Sequence, residues 1–150
     1  MQDTPLHPTE DGPPDPEGGD LMTLSYRSLA APDLTEASVE SLVARAQRFN
    51  ARAGITGVLL YDTTYFLQIL EGPLEEVTQL FSTISADPRH AEVRPFAIRW
   101  LGARRFEDWS MQLLGPIATR QVTEDMDRMD HASAGRIDRL VRDVLGLLRR

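Results

Sequence analysis

Cysteine and lysine are both absent from the 150-residue chain. Without a thiol the chain cannot form disulfides, zinc–thiolate sites, iron–sulfur clusters or a cysteine nucleophile. All 16 basic residues are arginine, so a lysine Schiff base with pyridoxal phosphate or retinal is also excluded. These two absences limit the possible chemistry more than any single motif does.

Long apolar runs are absent as well, and none approaches the roughly 20 residues that a membrane helix needs. The first residues, MQDTPLHPTEDGPPDPEGGD, have neither the basic region nor the apolar region of a signal peptide. The hydrophobic fraction of 41% and charged fraction of 26% are typical of one globular domain. We therefore expect a cytoplasmic protein without membrane contact.

Charge is distributed unevenly along the chain. Residues 1–20 contain six of the 23 acidic residues, five of the ten prolines and no basic residue. A segment of this composition cannot bury enough surface to order itself, which predicts a disordered leader. The other 130 residues contain 17 acidic and 16 basic residues, so their charge is balanced. No basic face indicates direct binding of nucleic acid.

Two amphipathic helices and five strands are predicted over residues 21–114. Apolar residues spaced by three and four mark the helices: Val39, Leu42, Val43, Ala46 and Phe49 in the first, and Val77, Leu80, Phe81 and Ile84 in the second. Asp33 or Thr35 can cap the first helix, Gly54 ends it, and Pro73 suits position N1 of the second. Strands are expected at 21–28, 57–61, 65–70, 95–101 and 109–114.

The order of these elements predicts an α+β fold, a ferredoxin-like βαββαββ sandwich with two helices on one face of a five-stranded mixed sheet. In this topology we expect the first and third strands to lie side by side, parallel, at the centre. Tyr26 and Gln68 would then be near neighbours. Further helices are predicted in a C-terminal extension over 115–150, one short and marked by Val122, Met126 and Met129, the last amphipathic.

Several polar or aromatic residues invite a chemical interpretation, although each has an ordinary structural one. Gln68 lies inside the apolar run FLQIL, where a buried amide without partners costs about 1–3 kcal/mol. Tyr26 is a strand tyrosine of a common kind, and Asn50 suits the end of the first helix. His90 has no neighbour at a metal-ligand spacing, so no metal site is predicted.

Taken together, the motifs resemble the BLUF family, sensors of blue light using FAD. They are YRS, N followed by ARAGITG, FLQILEG, DPRH and RRFxDWSM, in the family's order over about residues 21–114. The resemblance implies a blue-light photoreceptor that binds FAD non-covalently, with FMN as a possible substitute. It also implies a sensor, not an enzyme. Without cysteine or lysine, the chain could not use a cysteinyl adduct, a bilin or retinal instead.

The resemblance also assigns roles to individual residues. Leu42 and Ile84 would sandwich the flavin ring between the helices, and Asn50 would bind its polar edge. Asp87, Arg89 and His90 would line the remaining flavin edges, with Arg89 suited to a phosphate. The photoactive group would be Tyr26, Gln68, Trp109 and Met111.

By this resemblance, light drives electron and proton transfer from Tyr26 and rearranges the hydrogen bonds of Gln68, whose amide both donates and accepts. Whether Trp109 or Met111 faces the flavin is open at this point. The downstream protein is unknown, and the C-terminal helices suit protein–protein contact or a homo-oligomer.

Two other interpretations stay open. Ferredoxin-like acylphosphatases hold a phosphate with Arg and Asn, but the loop LAAP after the first strand lacks the glycine-rich amides of a phosphate cradle. A light-insensitive interaction module would have the same fold with a filled pocket. An absorption spectrum in the dark and after blue light separates the three.

Overall fold

A computed structural model describes residues 21–149, apart from the side chains at 130, 131 and 134. The leader predicted over 1–20 lies outside the described residues. The elements follow one another as β1 (Leu21–Ala30), α1 (Glu36–Ala53), β2 (Thr56–Tyr61), β3 (Tyr65–Pro73), α2 (Leu74–Ala86), β4 (His90–Trp100), β5 (Gln112–Leu114), α3 (Pro116–Val122), a 3₁₀ helix (Met126–His131) and α4 (Ala134–Leu148).

The strands form one mixed sheet in the order β4-β1-β3-β2-β5, which confirms the predicted α+β architecture. β2 and β5 are parallel, and the other neighbours are antiparallel. β1 and β3 are adjacent at the centre as predicted, but the predicted parallel direction is wrong. The crossover through α1 makes β1 and β2 parallel, and β3 returns from the β2 turn to run antiparallel between them.

Alternation along the strands divides the core between the two faces of the sheet. One face carries Met22, Leu24, Leu59, Phe66 and Leu70, which are packed by α1 and α2. The opposite face carries Val58, Leu60, Leu67 and Ile69, covered by buried residues of the 3₁₀ helix and α4. β2 and β3 are therefore buried on both faces, which explains their nearly continuous apolar sequence.

α1 begins and ends as its sequence predicts. The Thr35 side chain accepts a hydrogen bond from the Ser38 amide, and Gly54 ends the helix in the left-handed conformation, with a φ of 73°. The predicted apolar stripe is wrong at Phe49, which is 45% exposed. The buried position in this last turn belongs to Asn50 instead. Periodicity cannot show that a cleft opens beside this face of the helix.

Other boundaries differ from the prediction by a few residues. Pro73 is the N-cap of α2 and not its N1 residue, although Glu75 and Glu76 do occupy the first turn. β4 begins at His90, since irregular pairing with β1 extends it beyond the predicted Pro95. β5 has only three residues, so Trp109 lies before it. Val122 ends α3 and is separate from the 3₁₀ helix.

No helix among residues 21–149 is both long and apolar enough to cross a membrane.

Gly57 allows β2 and β3 to approach closely, because a Cβ at this position would lie 2.1 Å from the backbone oxygen of Ile69. Gly57→Ala should therefore lower the free energy of unfolding by about 1–3 kcal/mol, since a strand backbone cannot yield as a side chain can. Urea unfolding measures the change. Gly102→Ala is the control, because a Cβ there meets nothing within 4 Å. Equal stability of the two variants would contradict the steric argument.

Candidate functional site

A cleft of about 380 Å³ opens between α1 and α2 above the central strands. Leu42 and Ala46 of α1 form one wall, and Leu80 and Ile84 of α2 form the other. The rest of its lining includes six more of the predicted site residues: Tyr26, Asn50, Gln68, Asp87, Arg89 and His90. A cleft of this size and mixed character is typical of a small-molecule site.

Tyr26 and Gln68 lie directly opposite each other on β1 and β3. The Tyr26 hydroxyl donates a hydrogen bond of 2.6 Å to Gln68 Oε1. Both residues are buried, Tyr26 with 1% of its surface exposed and Gln68 with 5%. Burial raises the pKa of the Tyr26 phenol far above its ordinary value, and the negative charge of Asp87 raises it further. The phenol is therefore fully protonated near neutral pH.

The other end of the Gln68 amide faces Met111. Gln68 Nε2 donates to Met111 Sδ over 3.2 Å, and Met111 is 1% exposed. Trp109 packs instead with the cluster on the opposite face of the sheet, and its ring lies 5.9 Å from the Arg149 guanidinium. Of the two residues, Met111 is thus the one that contacts Gln68 in this structure.

Asn50 and Gln47 attach the segment before β5 to α1. Asn50 Nδ2 donates to the Ser110 carbonyl at 2.9 Å, and Gln47 Nε2 donates to the Met111 carbonyl at 2.8 Å. The two amides are three positions apart and share one face of the helix. Asn50 Oδ1 is buried and has no hydrogen-bond partner among residues 21–149. Asn50 is also among the residues that line the cleft.

Charged groups lie at the end of the cleft that follows α2. Asp87 accepts from Arg89 Nε at 3.0 Å and from Arg89 Nη2 at 2.5 Å. This hydrogen bonding lowers the pKa of Asp87 to about 2. His90 Nδ1 lies 2.8 Å from Ser28 Oγ, and the His90 ring contacts Tyr26 edge-on. Asp87 and Arg89 therefore form an ion pair with each other at this end of the cleft, and His90 bonds β1 instead.

Five residues in or beside this site were not predicted from the sequence. Gln47 and Ser28 bond predicted site residues or their neighbours, and arginines of α1 line the mouth of the cleft: Arg45, Arg48 and Arg52. Ser28 shares a face of β1 with Tyr26, and Gln47 shares a face of α1 with Asn50. Each could have been found by applying the strand and helix periods to polar residues. In the part of the chain that the structure describes, no group of three acidic or histidine residues could hold a metal.

We expect His90 to make the free energy of unfolding depend on pH. Burial lowers the pKa of His90 to about 4. An unfolded chain takes up a proton at this imidazole near pH 6.5, so acidification between these values favours unfolding. Between pH 7 and pH 5 we expect the free energy of unfolding to fall by about 1–2 kcal/mol more in the unsubstituted protein than in His90→Asn. Urea unfolding at each pH tests this, and the same pH dependence in both proteins would contradict it.

The chain is similar to proteins that respond to light. The blue light- and temperature-regulated antirepressor BluF of Escherichia coli K12 is 38% identical over 93 residues, which are 62% of this chain and 23% of BluF. The photoactivated adenylate cyclase subunit beta of Euglena longa is 40% identical over 73 residues, which are 49% of this chain and 8% of that subunit. This chain therefore spans less than a quarter of the length of either relative.

Two solved structures have a similar fold. The dark-state structure of BlrB, a BLUF protein, superposes with a TM-score of 0.76 at 36% identity, covering 84% of this chain and 96% of BlrB. The photo-activated state of BlsA gives a TM-score of 0.73 at 25% identity, covering 83% of this chain and 94% of BlsA. The model of the BLUF family, described as sensors of blue-light using FAD, matches residues 21–112. The chain belongs to the BLUF family of blue-light sensors, whose cofactor is FAD.

Proposed function

We propose that this chain senses blue light through the Tyr26–Gln68–Met111 row and signals by protein contact, without catalysing a reaction. The observation that carries the proposal is the buried hydrogen bond of 2.6 Å between Tyr26 Oη and Gln68 Oε1 in the floor of the cleft. A proton donor, a two-ended amide and a soft sulfur acceptor stand in sequence here. This row can exist in two hydrogen-bonded arrangements.

The residues of the cleft fit a flavin. Leu42 and Ile84 offer apolar surface on its two walls, as a flat ring system requires. Asn50 Oδ1 is a buried acceptor without a partner among the described residues, and it suits an N–H of the ring's polar edge. The arginines of α1 at the mouth, together with Arg89, supply positive charge toward the phosphates of FAD. When bound, the flavin supplies blue-light absorption and a strongly oxidising excited state.

Tyr26 is the proposed donor of an electron and a proton. Its phenol is buried and stays protonated in the dark, because burial and Asp87 raise its pKa. A buried phenol cation would be poorly solvated, so loss of an electron favours release of the proton as well. Gln68 Oε1 already accepts that proton in a hydrogen bond. The side chain of Gln68 is therefore the first group of the protein to respond.

Gln68 is the proposed switch because the two ends of its amide have different partners. In the structure its oxygen faces the Tyr26 hydroxyl and its nitrogen faces Met111 Sδ. Return of the electron and the proton to Tyr26 would leave the amide rotated or tautomerised, with a donor exchanged for an acceptor on both sides. A changed hydrogen bond to the cofactor then shifts the absorption to the red without any covalent step. The same change alters the contact to Met111, which carries it to the edge of the sheet.

The proposed output of the sensor is contact with a partner protein. Family relatives include photoactivated cyclase subunits, but the part shared with the Euglena longa subunit is only 8% of that protein. Neither of the two alternative interpretations is supported by the family model, which matches residues 21–112. We propose a cytoplasmic, non-enzymatic module of residues 21–114 whose C-terminal extension meets an unidentified partner or a second copy. FMN would be able to substitute for FAD, because the two cofactors carry the same ring.

Asn50 is expected to contribute to flavin affinity. Removing its amide in Asn50→Ala should raise the Kd for FAD about tenfold, because a buried hydrogen bond to the ring is lost. Gln47→Ala is the matched control: it removes the neighbouring amide of α1, which bonds the Met111 carbonyl but does not line the cleft. Fluorescence titration of the apoprotein with FAD measures both. An unchanged Kd in Asn50→Ala would remove Asn50 from the binding site.

The function itself is tested by the absorption spectrum of the purified protein in the dark and after blue light. We expect a yellow protein with a modest red shift that reverses in the dark. A protein that remains colourless after expression with ample flavin would overturn the proposal.

Tyr26→Phe tests the first step, since it removes the hydroxyl and retains the ring. This variant should bind flavin but lose the normal photocycle, because neither the proton nor the bond to Gln68 remains. The light-minus-dark spectrum checks it. Tyr65→Phe is the control, because Tyr65 lies on β3 outside the cleft. A normal photocycle in Tyr26→Phe would require another electron donor, with Trp109 the next residue to test.

A further inference from the structure

Glu71 is a buried carboxylate that the proposed photochemistry does not use. It lies on β3 three residues after Gln68, and none of its surface is exposed. Alternation along the strand directs it to the opposite face from Gln68. A buried carboxylate in an apolar sheet is costly unless hydrogen bonds satisfy it. The partners of Glu71 therefore indicate what it is retained for.

Those partners belong mainly to the segment between β4 and β5. Glu71 Oε2 accepts from the Arg105 amide at 3.0 Å, and Glu71 Oε1 accepts from the Phe106 amide at 2.5 Å. Oε1 also accepts from Thr56 Oγ1 at 2.9 Å. Two consecutive backbone amides thus converge on one carboxylate. Bonds from amides to a charged acceptor are stronger than bonds between neutral groups.

Arg104 reinforces the same attachment. Its Nη2 donates to the Gly54 carbonyl at 2.6 Å, and its Nη1 donates to Thr56 Oγ1 at 3.0 Å. Phe106, the next residue but one, is fully buried in the cluster on this face. The start of the segment is consequently attached to the sheet by the hydrogen bonds of Arg104, by the backbone amides that bond Glu71, and by the packing of Phe106.

The segment anchored by Glu71 ends at the switch. From Phe106 it continues to Met111, whose sulfur accepts the bond from Gln68 Nε2. Between these residues, the Trp109 carbonyl accepts from the Gly57 amide at 3.0 Å, and β5 adds a ladder of only three residue pairs. Such a short ladder cannot fix the segment alone. The position of Met111 therefore depends on side-chain attachments at both ends of the segment: Glu71 at its start, and Gln47 at the Met111 carbonyl.

We propose that Glu71 is a positioning residue that sets the lifetime of the light-induced state by holding Met111 against Gln68. This inference rests on the proposed function of Gln68 and Met111. With the carboxylate intact, Met111 must be displaced from a fixed position before the Gln68 amide can return to its dark arrangement. With the attachment weakened, Met111 yields more easily and the barrier to return is lower.

Glu71→Gln tests the proposal, because glutamine keeps the size but offers one acceptor oxygen and directs an NH₂ group at an amide donor. We expect the variant to bind flavin and show the same red shift. Its dark recovery should be faster by about fivefold or more, as the loss of a charged hydrogen bond predicts. Glu75→Gln is the control, since this exposed residue in the first turn of α2 undergoes the same chemical change. Its recovery rate should be that of the unsubstituted protein.

A double-mutant cycle separates positioning from general destabilisation. If Glu71 acts through Met111, Glu71→Gln should have little further effect on recovery in a Met111→Ala background. The same acceleration in that background, or recovery of Glu71→Gln at the unsubstituted rate, would overturn the inference. Absence of a reversible shift in the unsubstituted protein would instead overturn the proposed function. Should Glu71→Gln lose the flavin, Arg104→Gln provides the same cycle with a milder change, and the same outcomes apply.

Discussion

The antiparallel pairing of β1 with β3 is the constraint on which the rest of the structure depends. This register places Tyr26 opposite Gln68, and Leu59 of β2 lies on the other side of Gln68. Both strands have a neighbour on each side in the sheet and side chains packed on both faces. A slip by one residue would move Gln68 to the opposite face and take the apolar residues beside it away from their packing partners. The hydrophobic core therefore enforces the positions of Tyr26 and Gln68.

Two buried polar side chains on β3 face in opposite directions and have different consequences. Gln68 faces the helices and bonds side chains, whose partners can be exchanged at low cost. Glu71 faces the other cluster and bonds backbone amides, whose positions are fixed by the chain. An amide suits a reversible arrangement and a carboxylate suits a permanent one, because an unpaired buried charge costs more than an unpaired neutral group. β3 thus makes two contacts with the segment before β5: one through Gln68, which the proposed function requires to change, and one through Glu71, which stays in place.

The fold was largely predictable because it follows from periodicity and local capping. The stripes of α1 and α2, the Thr35 cap and the adjacency of β1 and β3 all arise from residues near one another in sequence or from topology. The direction of β3 relative to β1 was predicted wrongly, although the hairpin with β2 already determined it. The site residues that line the cleft were predictable for the same reason, since the topology brings their elements together.

The remainder of the site could not be predicted, because it depends on a segment without a repeating pattern. Which of Trp109 and Met111 contacts Gln68 depends on the path of the irregular segment between β4 and β5. Phe49 appeared to belong to the core because its spacing matches the stripe, whereas its surroundings are a cleft. The role of Glu71 required the observation that two consecutive amides meet its carboxylate. Contacts of this kind leave no period in the sequence.

The shortness of β5 has an evolutionary consequence. Because Gln112–Leu114 forms only three residue pairs with β2, the segment that carries Met111 is also held by Gln47 and Glu71, which do not line the cleft. On the proposal made for Glu71, substitutions of these two side chains would alter how firmly the segment is held without altering the colour or affinity of the bound pigment. Sensors built on this arrangement can therefore diverge in memory time, from brief to prolonged responses to a light pulse, without redesign of the pigment site.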